Sequence, residues 1–174
     1  MMTGTKDELG PTAGLQVANL QVANLQVANL QVTNLQVVKV RIGSETFALD
    51  AGMVREIIDP IPTTRVAGAR SHLDRVVNVR GNVVPLADIR ERFGMKPEPA
   101  TPDTRFVVIE VEIAGDPVIV ALVADKVFEV TEVQTGTAQQ VPKVGTSWRP
   151  EYIKSIVKSG DEFVILPDVE RILN

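Results

Sequence analysis

A short stretch in the middle of the chain decides the fold, and it reads Asn78-Val79-Arg80-Gly81-Asn82-Val83-Val84-Pro85-Leu86-Ala87-Asp88-Ile89-Arg90. Valine-rich runs at 76–79 and 83–86 flank the turn residues 80–82. Two β-prone runs separated by a short turn that contains glycine predict a β-hairpin. After the second run, Asp88 predicts the cap of a short helical turn over residues 89–93.

Similar signals precede this stretch. Apolar residues alternate with charged ones over 38–42 and return at 46–49 after a glycine-containing turn, which predicts a first hairpin. The spacing of the next apolar residues predicts a short helix over 51–56, capped by Asp50. The proline-rich segment 96–102 predicts an exposed loop or a linker.

The second half of the chain repeats this plan. An alternating strand is predicted over 107–113, and the run 118–123 is apolar on both faces, which predicts a central strand. A further hairpin is predicted over 156–166, and a last helix over 169–173 follows the capping residue Asp168.

The two halves can be aligned with each other as sequences. At one fixed offset, Ala48-Leu49 matches Ala121-Leu122, and Val54-Arg55-Glu56-Ile57 matches Val127-Phe128-Glu129-Val130. At a second offset, Val84, Leu86, Asp88 and Ile89 match Val164, Leu166, Asp168 and Val169. Strands this short are typical of small barrels or sandwiches, which close off their sheet edges. No long crossover helix is predicted, which disfavours a parallel α/β sheet. We therefore expect an all-β protein with short helices, built from two similar units.

Composition limits the classes of function. The 174 residues carry 18 Lys and Arg against 22 Asp and Glu, for a net charge of -4. A nucleic-acid binder usually carries a basic excess, so that class is disfavoured. The absence of cysteine removes disulfides, thiolate metal sites and cysteine nucleophiles. Since the sequence shows neither a membrane-spanning apolar run nor the pattern of a secretory signal, we expect a cytoplasmic protein.

The sequence patterns of common enzymes are missing as well. The chain contains neither a phosphate-binding P-loop nor a nucleophile elbow. Its one histidine, His72, is interpreted as a surface or turn residue, and capping explains Asp88 and Asp125 at predicted strand-to-helix junctions. We expect no enzyme, no metal and no cofactor, and a function that surfaces carry out.

A five-residue repeat occupies residues 15–34 and begins with Leu15-Gln16-Val17-Ala18-Asn19. Read in another frame, it resembles the pentapeptide-repeat family, whose chain forms a four-sided β-helix. Its four copies make only one coil, however, and a solenoid needs neighbouring coils to bury its faces. We favour an irregular or extended arm that follows a flexible N-terminus at 1–14.

The arginine of the central turn is a candidate for binding a partner. Arg80 lies in a tight turn that would hold its guanidinium outward, and arginine can bind a carboxylate through two parallel hydrogen bonds. It could equally be a solvated turn residue or pair with an Asp or Glu of the same chain. The residues by themselves leave these alternatives open.

The central stretch resembles the Asn-Leu-Arg-Gly-x-x-x-Pro-x-x-Asp-Leu-Arg motif of the CheW-like family, the bacterial chemotaxis coupling proteins. The other segments that fit this family in order are 47–50, 54–57, 120–125, 151–153 and 164–173, so the resemblance covers about residues 36–174. It implies a domain of two β subdomains, which are pseudo-symmetric five-stranded SH3-like β-barrels around a shared core.

The resemblance also implies a function. Members of the family are non-catalytic adaptors that couple chemoreceptors, the methyl-accepting chemotaxis proteins, to the regulatory domain of the histidine kinase CheA. The receptor tip binds in the groove between the barrels and the kinase at a barrel edge, which places Val54, Glu56, Arg80 and Gly81 in the partner-binding surface. It further implies a cytoplasmic location at membrane-associated receptor arrays, self-association there, and neither nucleic-acid binding nor membrane insertion.

Two positions depart from the family pattern. Arg75 and Lys126 stand where glycine is common, near the implied partner surfaces, so the choice of receptor and pathway stays open. The alternative function is that of an interaction or assembly protein of another pathway, with the repeat arm as its functional element.

Overall fold

The computed structural model describes residues 33–137 and 149–174, and this part of the chain folds mainly into β-strands. The strands are β1 (Asn34–Ile42), β2 (Glu45–Asp50), β3 (Val54–Ile58), β4 (Thr63–Arg65), β5 (Arg75–Val79), β6 (Asn82–Ala87), β7 (Arg105–Ile113), β8 (Asp116–Ala124), β9 (Lys126–Gln134), β10 (Ile153–Ser159) and β11 (Glu162–Pro167). The helical elements are short 3-10 turns at Ser71–Leu73, Glu91–Phe93, Thr135–Thr137 and Pro150–Tyr152, and the helix α1 (Val169–Leu173). The predicted all-β fold class is confirmed.

The strands form two sheets, and the two halves of the chain exchange strands between them. One sheet has the order β10-β11-β2-β1-β9 and the other the order β3-β7-β8-β6-β5-β4. Neighbouring strands are antiparallel except for the parallel pairs β11–β2 and β6–β8. The opening hairpin of each half therefore completes the sheet of the other half, and neither half holds a whole sheet of its own.

Each opening hairpin is apolar on both faces because it lies between two cores. On β1, Val40 faces a core shared by both sheets, whereas Val37 faces a second core within the first sheet. On β8, Leu122 faces the shared core and Ala121 faces a third core within the other sheet. The predicted central strand at 118–123 is confirmed as part of β8, between β7 and β6.

Matching details show that the two halves follow one plan. Strand β3 has one extra residue opposite β7, and β9 has one extra residue opposite β1. The backbone N–H of Asp88 donates to the carbonyl of His72 at 3.0 Å, and that of Asp168 donates to the carbonyl of Tyr152 at 2.8 Å. His72 and Tyr152 therefore occupy equivalent positions in the two halves.

A buried ion network ties separate parts of the fold together. The guanidinium of Arg90 lies 2.6 Å from Asp88 Oδ2 and 3.3 Å from Asp125 Oδ1. The other oxygen of Asp125 accepts the backbone N–H of Gly43, in the β1–β2 turn, at 2.6 Å. The hydrogen bonds that Arg90 donates to Asp88, together with the nearby carboxylates, hold the pKa of Arg90 above its ordinary value. The network joins the end of β6, the β8–β9 junction and the first hairpin.

The predicted hairpins around 38–49, 76–86 and 156–166 are confirmed as β1–β2, β5–β6 and β10–β11. The helix at 169–173 is also confirmed, and Asp168 caps it by accepting the backbone N–H of Arg171 at 3.2 Å. The segment 96–102 is an exposed loop, as predicted.

The helix predicted over 51–56 is wrong. Residues 51–53 form a turn in which Asp50 accepts the backbone N–H of Gly52 at 2.8 Å, and β3 follows at once. The extra residue in β3 shifts the faces of the strand, so its apolar residues no longer alternate and imitate a helical spacing.

The helix junction predicted at Asp125 is wrong for a similar reason. Asp125 stands between two strands, β8 and β9, and its carboxylate serves the Arg90 network rather than a helix cap. Strand β9 carries the same kind of extra residue as β3, which again hides the alternation of a strand.

The beginning of the chain is only partly described. The predicted flexible N-terminus and most of the repeat arm lie outside the described residues. The last residue of the arm, Asn34, begins β1, and Leu35-Gln36-Val37 belong to that strand. Within residues 33–137 and 149–174, no helix is long and apolar enough to cross a membrane.

Replacing the central cation of the buried network should destabilise the fold strongly. We expect Arg90→Ala to lower the free energy of unfolding by about 3–5 kcal/mol, because it leaves the buried Asp125 and the half-buried Asp88 without their counter-charge. In Arg65→Ala, which removes an exposed partner of Asp74, the loss should stay below about 1 kcal/mol. Urea unfolding measures both changes, and equal losses would contradict the role of the network.

Candidate partner-binding surface

The turn between β5 and β6 holds an arginine in an unfavourable backbone conformation. Arg80 and Gly81 have φ angles of 51° and 86°, the combination that a two-residue type I′ hairpin requires. The side chain of Asn78 supports the turn by accepting the backbone N–H of Gly81 at 2.8 Å. For a residue with a Cβ atom, the left-handed conformation costs about 1 kcal/mol. Asparagine or glycine would suit the first turn position better than arginine.

The guanidinium of Arg80 reaches across to Glu56 on β3. Its Nε and Nη2 atoms lie 3.1 Å and 3.0 Å from Glu56 Oε2. The side chain of Arg80 is nevertheless 81% exposed, whereas that of Glu56 is 24% exposed. The two alternatives left open for Arg80 therefore coexist, because one guanidinium pairs within the chain and still faces solvent. Such an exposed pair contributes only about 0–1 kcal/mol to stability.

These residues define the first barrel end, which consists of Glu56, Arg80 and the exposed apolar side chains of Ile57 and Val83. Ile57 follows Glu56 on β3, and Val83, which is 74% exposed, lies on β6 just after the turn. Strand β3 is also an edge strand of its sheet. The surface thus combines a charge pair, apolar side chains and a strand edge that no other described strand pairs with.

The other two predicted site residues have different roles. Val54 is half-buried and packs against the shared core, so it positions β3 more than it offers a binding surface. Gly81 has open space around it, but its φ of 86° strains any residue with a side chain. It contributes the geometry of the turn that presents Arg80.

The sheet β10-β11-β2-β1-β9 carries an equivalent surface that sequence reasoning missed. This second barrel end consists of Lys39, Glu129 and Glu162 with the exposed side chains of Val130 and Phe163. Lys39 Nζ lies 3.2 Å from Glu162 and 3.6 Å from Glu129, and Phe163 is 58% exposed. The offsets that align the two halves match Glu56 with Glu129, Ile57 with Val130 and Val83 with Phe163. The signal was therefore present in the internal alignment.

The residues that replace glycine lie at strand ends. Arg75 opens β5, is exposed, and places Nη1 3.4 Å from Thr63 Oγ1 on the short strand β4. Lys126 opens β9, and its Nζ lies 5.6 Å from the centre of the Phe128 ring, beside the second barrel end. Both cations add charge where glycine would offer none.

Comparison with known proteins gives these surfaces a context. A model of the CheW-like domain family matches residues 36–174. The chain belongs to the CheW-like domain family. It is 33% identical over 134 residues to the chemotaxis protein CheW of Helicobacter pylori, which covers 76% of this chain and 77% of that protein. It is 28% identical over 134 residues to the probable chemotaxis protein CheW of Rhizobium etli, which covers 77% and 84%.

A solved structure shares the fold. The scaffolding protein TtCheW from Thermoanaerobacter tengcongensis superimposes with a TM-score of 0.69 at 23% sequence identity. The similarity covers 80% of this chain and 92% of that chain.

The histidine of this CheW-like domain is buried, which corrects its prediction as a surface residue. His72 does lie in a turn, but its Nε2 is 3.1 Å from Arg92 Nη2 and its ring hydrogen-bonds the backbone of Leu173. Burial and the nearby Arg92 lower the pKa of His72. Among the described residues, no group of acidic or histidine side chains is arranged to hold a metal ion.

Relief of the turn strain should be measurable. We expect Ala114→Asn, in the β7–β8 turn where Ala114 has a φ of 53°, to raise the free energy of unfolding by about 1 kcal/mol. Arg80→Asn should raise it by less, because that change also removes the pair with Glu56. Thermal or urea unfolding of both variants tests this, and a loss of stability in Ala114→Asn would contradict the strain argument.

Acid should weaken the fold through His72. Because folding lowers the pKa of His72, the unfolded chain binds the proton more tightly than the folded chain does. The contribution of the neutral ring to the free energy of unfolding is therefore complete above about pH 6.5 and is lost as the pH falls. The charged groups that act on the ring are Arg92, Arg70 and Glu91. Between pH 8 and pH 5, wild type should lose more unfolding free energy than His72→Gln. Parallel curves for the two proteins would show that His72 does not contribute.

Proposed function

We propose that this chain is a chemotaxis adaptor of the CheW type, which couples chemoreceptors to a CheA-type histidine kinase by binding both. The single observation that carries the proposal is the first barrel end, where an exposed arginine is held in a strained turn. Backbone strain persists where the surrounding structure imposes it, and such positions concentrate at functional sites. Arginine is also enriched among the residues that dominate protein interfaces.

We assign the first barrel end to the regulatory domain of the kinase. The guanidinium of Arg80 keeps free donors on its solvent side while Glu56 fixes its direction, so little side-chain entropy remains to be lost on binding. Val83 and Ile57 supply apolar contact area beside that charge. The edge of β3, which has no partner strand within residues 33–137 and 149–174, offers backbone groups to a strand of the partner.

The receptor is assigned to the groove between the two barrels, on the strength of family membership. A non-catalytic role fits a chain whose surfaces, rather than a reactive centre, are its distinctive features. The place of action would be the cytoplasmic side of receptor arrays, as it is for an adaptor that joins receptor tips to a kinase.

The second barrel end provides the means to build an array. It repeats the arrangement of the first end, with a charge cluster at Lys39 and exposed apolar side chains at Val130 and Phe163. An adaptor with a docking surface at each end can link partners into a chain or ring. Individually weak contacts then act together, because each bound partner raises the effective concentration of the next.

Reversing the charge of Arg80 should separate binding from folding. We expect Arg80→Glu to weaken binding of the kinase regulatory domain at least about tenfold, because it repels a partner surface that accepts a guanidinium. Its unfolding free energy should change by no more than about 1 kcal/mol. Titration calorimetry with the regulatory domain and with a receptor cytoplasmic fragment measures the affinities.

A charge exchange distinguishes docking from an internal role of the pair. The double variant Glu56→Arg with Arg80→Glu keeps an ion pair within the chain but reverses what the partner meets, so affinity should stay low. Restored affinity would mean that only the internal pair matters. Removal of residues 1–32 should leave binding intact, whereas a loss would favour the repeat arm as the functional element.

A further inference from the structure

A recess dominated by arginines lies where the two halves of the chain meet. It has a volume of about 640 Å³, and Arg70, Arg92, Arg149, His72 and Tyr152 are among the residues that line it. His72 and Tyr152 are the equivalent residues of the two halves, and they are only 5% and 6% exposed. They form a buried base for the recess, whereas Arg70 and Arg149 are exposed.

The guanidinium of Arg92 is held between these two equivalent residues. Nη1 donates to Tyr152 Oη at 2.8 Å, and Nη2 lies 3.1 Å from His72 Nε2. Each of these nitrogens carries a second hydrogen, and the buried Nε has no hydrogen-bond partner within the described residues. Arg92 is therefore fixed in position with donor capacity unused.

The ring of Tyr152 lies close to two arginines, the fixed Arg92 and the exposed Arg149 at the rim of the recess. The guanidinium carbons of Arg92 and Arg149 lie 5.5 Å and 6.0 Å from the centre of its ring. Cation–π contacts of this kind hold two positive charges near one another at a single aromatic side chain. Two like charges gathered in this way repel each other, and an anion bound between them would offset that repulsion.

The described residues do not neutralise these arginines. No carboxylate within residues 33–137 and 149–174 comes within 4.0 Å of Arg70, Arg92 or Arg149. Elsewhere in the same residues, the arginines with a carboxylate partner are Arg55, Arg65, Arg80, Arg90, Arg105 and Arg171. Glu91 also lines the recess, but it does not pair with any of the three. Although the chain carries a net negative charge, three guanidiniums without a carboxylate partner among the described residues are therefore gathered in this recess.

We propose that this recess binds a phosphoryl group. A phosphoryl group offers three acceptor oxygens, enough for each of the three guanidiniums to meet one, whereas a carboxylate offers two. The planar donor array of arginine suits such oxygens. The site shares no residue with the first or second barrel end, so the inference stands apart from the adaptor function and either can fail alone.

Inorganic pyrophosphate is the probe for the site, used with the full chain at low ionic strength. We expect saturable binding by titration calorimetry, weakened about tenfold in Arg70→Gln and likewise in Arg149→Gln. Glu91→Gln should bind more tightly, because it removes a negative charge from the recess. Arg41→Gln is the matched control, since Arg41 is an exposed arginine of β1 outside the recess, and it should bind as wild type does.

Three results would overturn the proposal. The first is the absence of saturable binding of pyrophosphate. The second is an equal loss in Arg41→Gln and in the recess variants, which would show attraction to net charge alone. The third is citrate binding as tightly as pyrophosphate, which would assign the recess to carboxylates. Inorganic phosphate and O-phosphoserine then distinguish a free anion from a phosphorylated side chain as the source of the group.

Discussion

The rest of the structure depends on the packing of two opening hairpins, β1–β2 and β7–β8, against each other in one shared core. Each hairpin is covalently part of one half and hydrogen-bonded into the sheet of the other. Both faces of each hairpin are buried, so neither barrel can close without the opposite half of the chain. Folding of one half should therefore depend on the other, and the two barrels behave as one cooperative unit.

This exchange also determines where charge can be placed. The Arg90 network lies at the junction of the exchanged elements, where Asp125 of one half and Gly43 of the other share one buried cluster. The charged residues at the barrel ends do not belong to this buried network. Arg80 at the first barrel end is exposed, so its substitution affects mainly the surface, whereas Lys39 at the second barrel end is buried and only its carboxylate partners are exposed. The recess around Arg92 combines both environments, because its base at His72 and Tyr152 is buried and its rim at Arg70 and Arg149 is exposed.

Much of the fold could be predicted from local signals. Hairpins with tight glycine turns, the loop at 96–102 and the capped helix at 169–173 are visible because turn residues and strand periodicity act within a few residues of each other. Strands β3 and β9 escaped prediction because an extra residue in each disrupts the alternation that marks a strand. The turn position of His72 was predicted, but its burial was not, because that burial depends on Arg92 and Leu173, which are distant in sequence.

By itself, the sequence determined the class of the protein, the positions of its turns and the candidate residues Val54, Glu56, Arg80 and Gly81. The turns follow from backbone preferences, and the candidate residues follow from the family resemblance of two short segments, 54–57 and 78–90. Only the tertiary structure decided that Glu56 meets Arg80, that Val54 packs inward, and that each sheet combines strands from both halves. Those outcomes depend on contacts between segments far apart in the chain. Local backbone propensities do not specify which distant segments pack against each other.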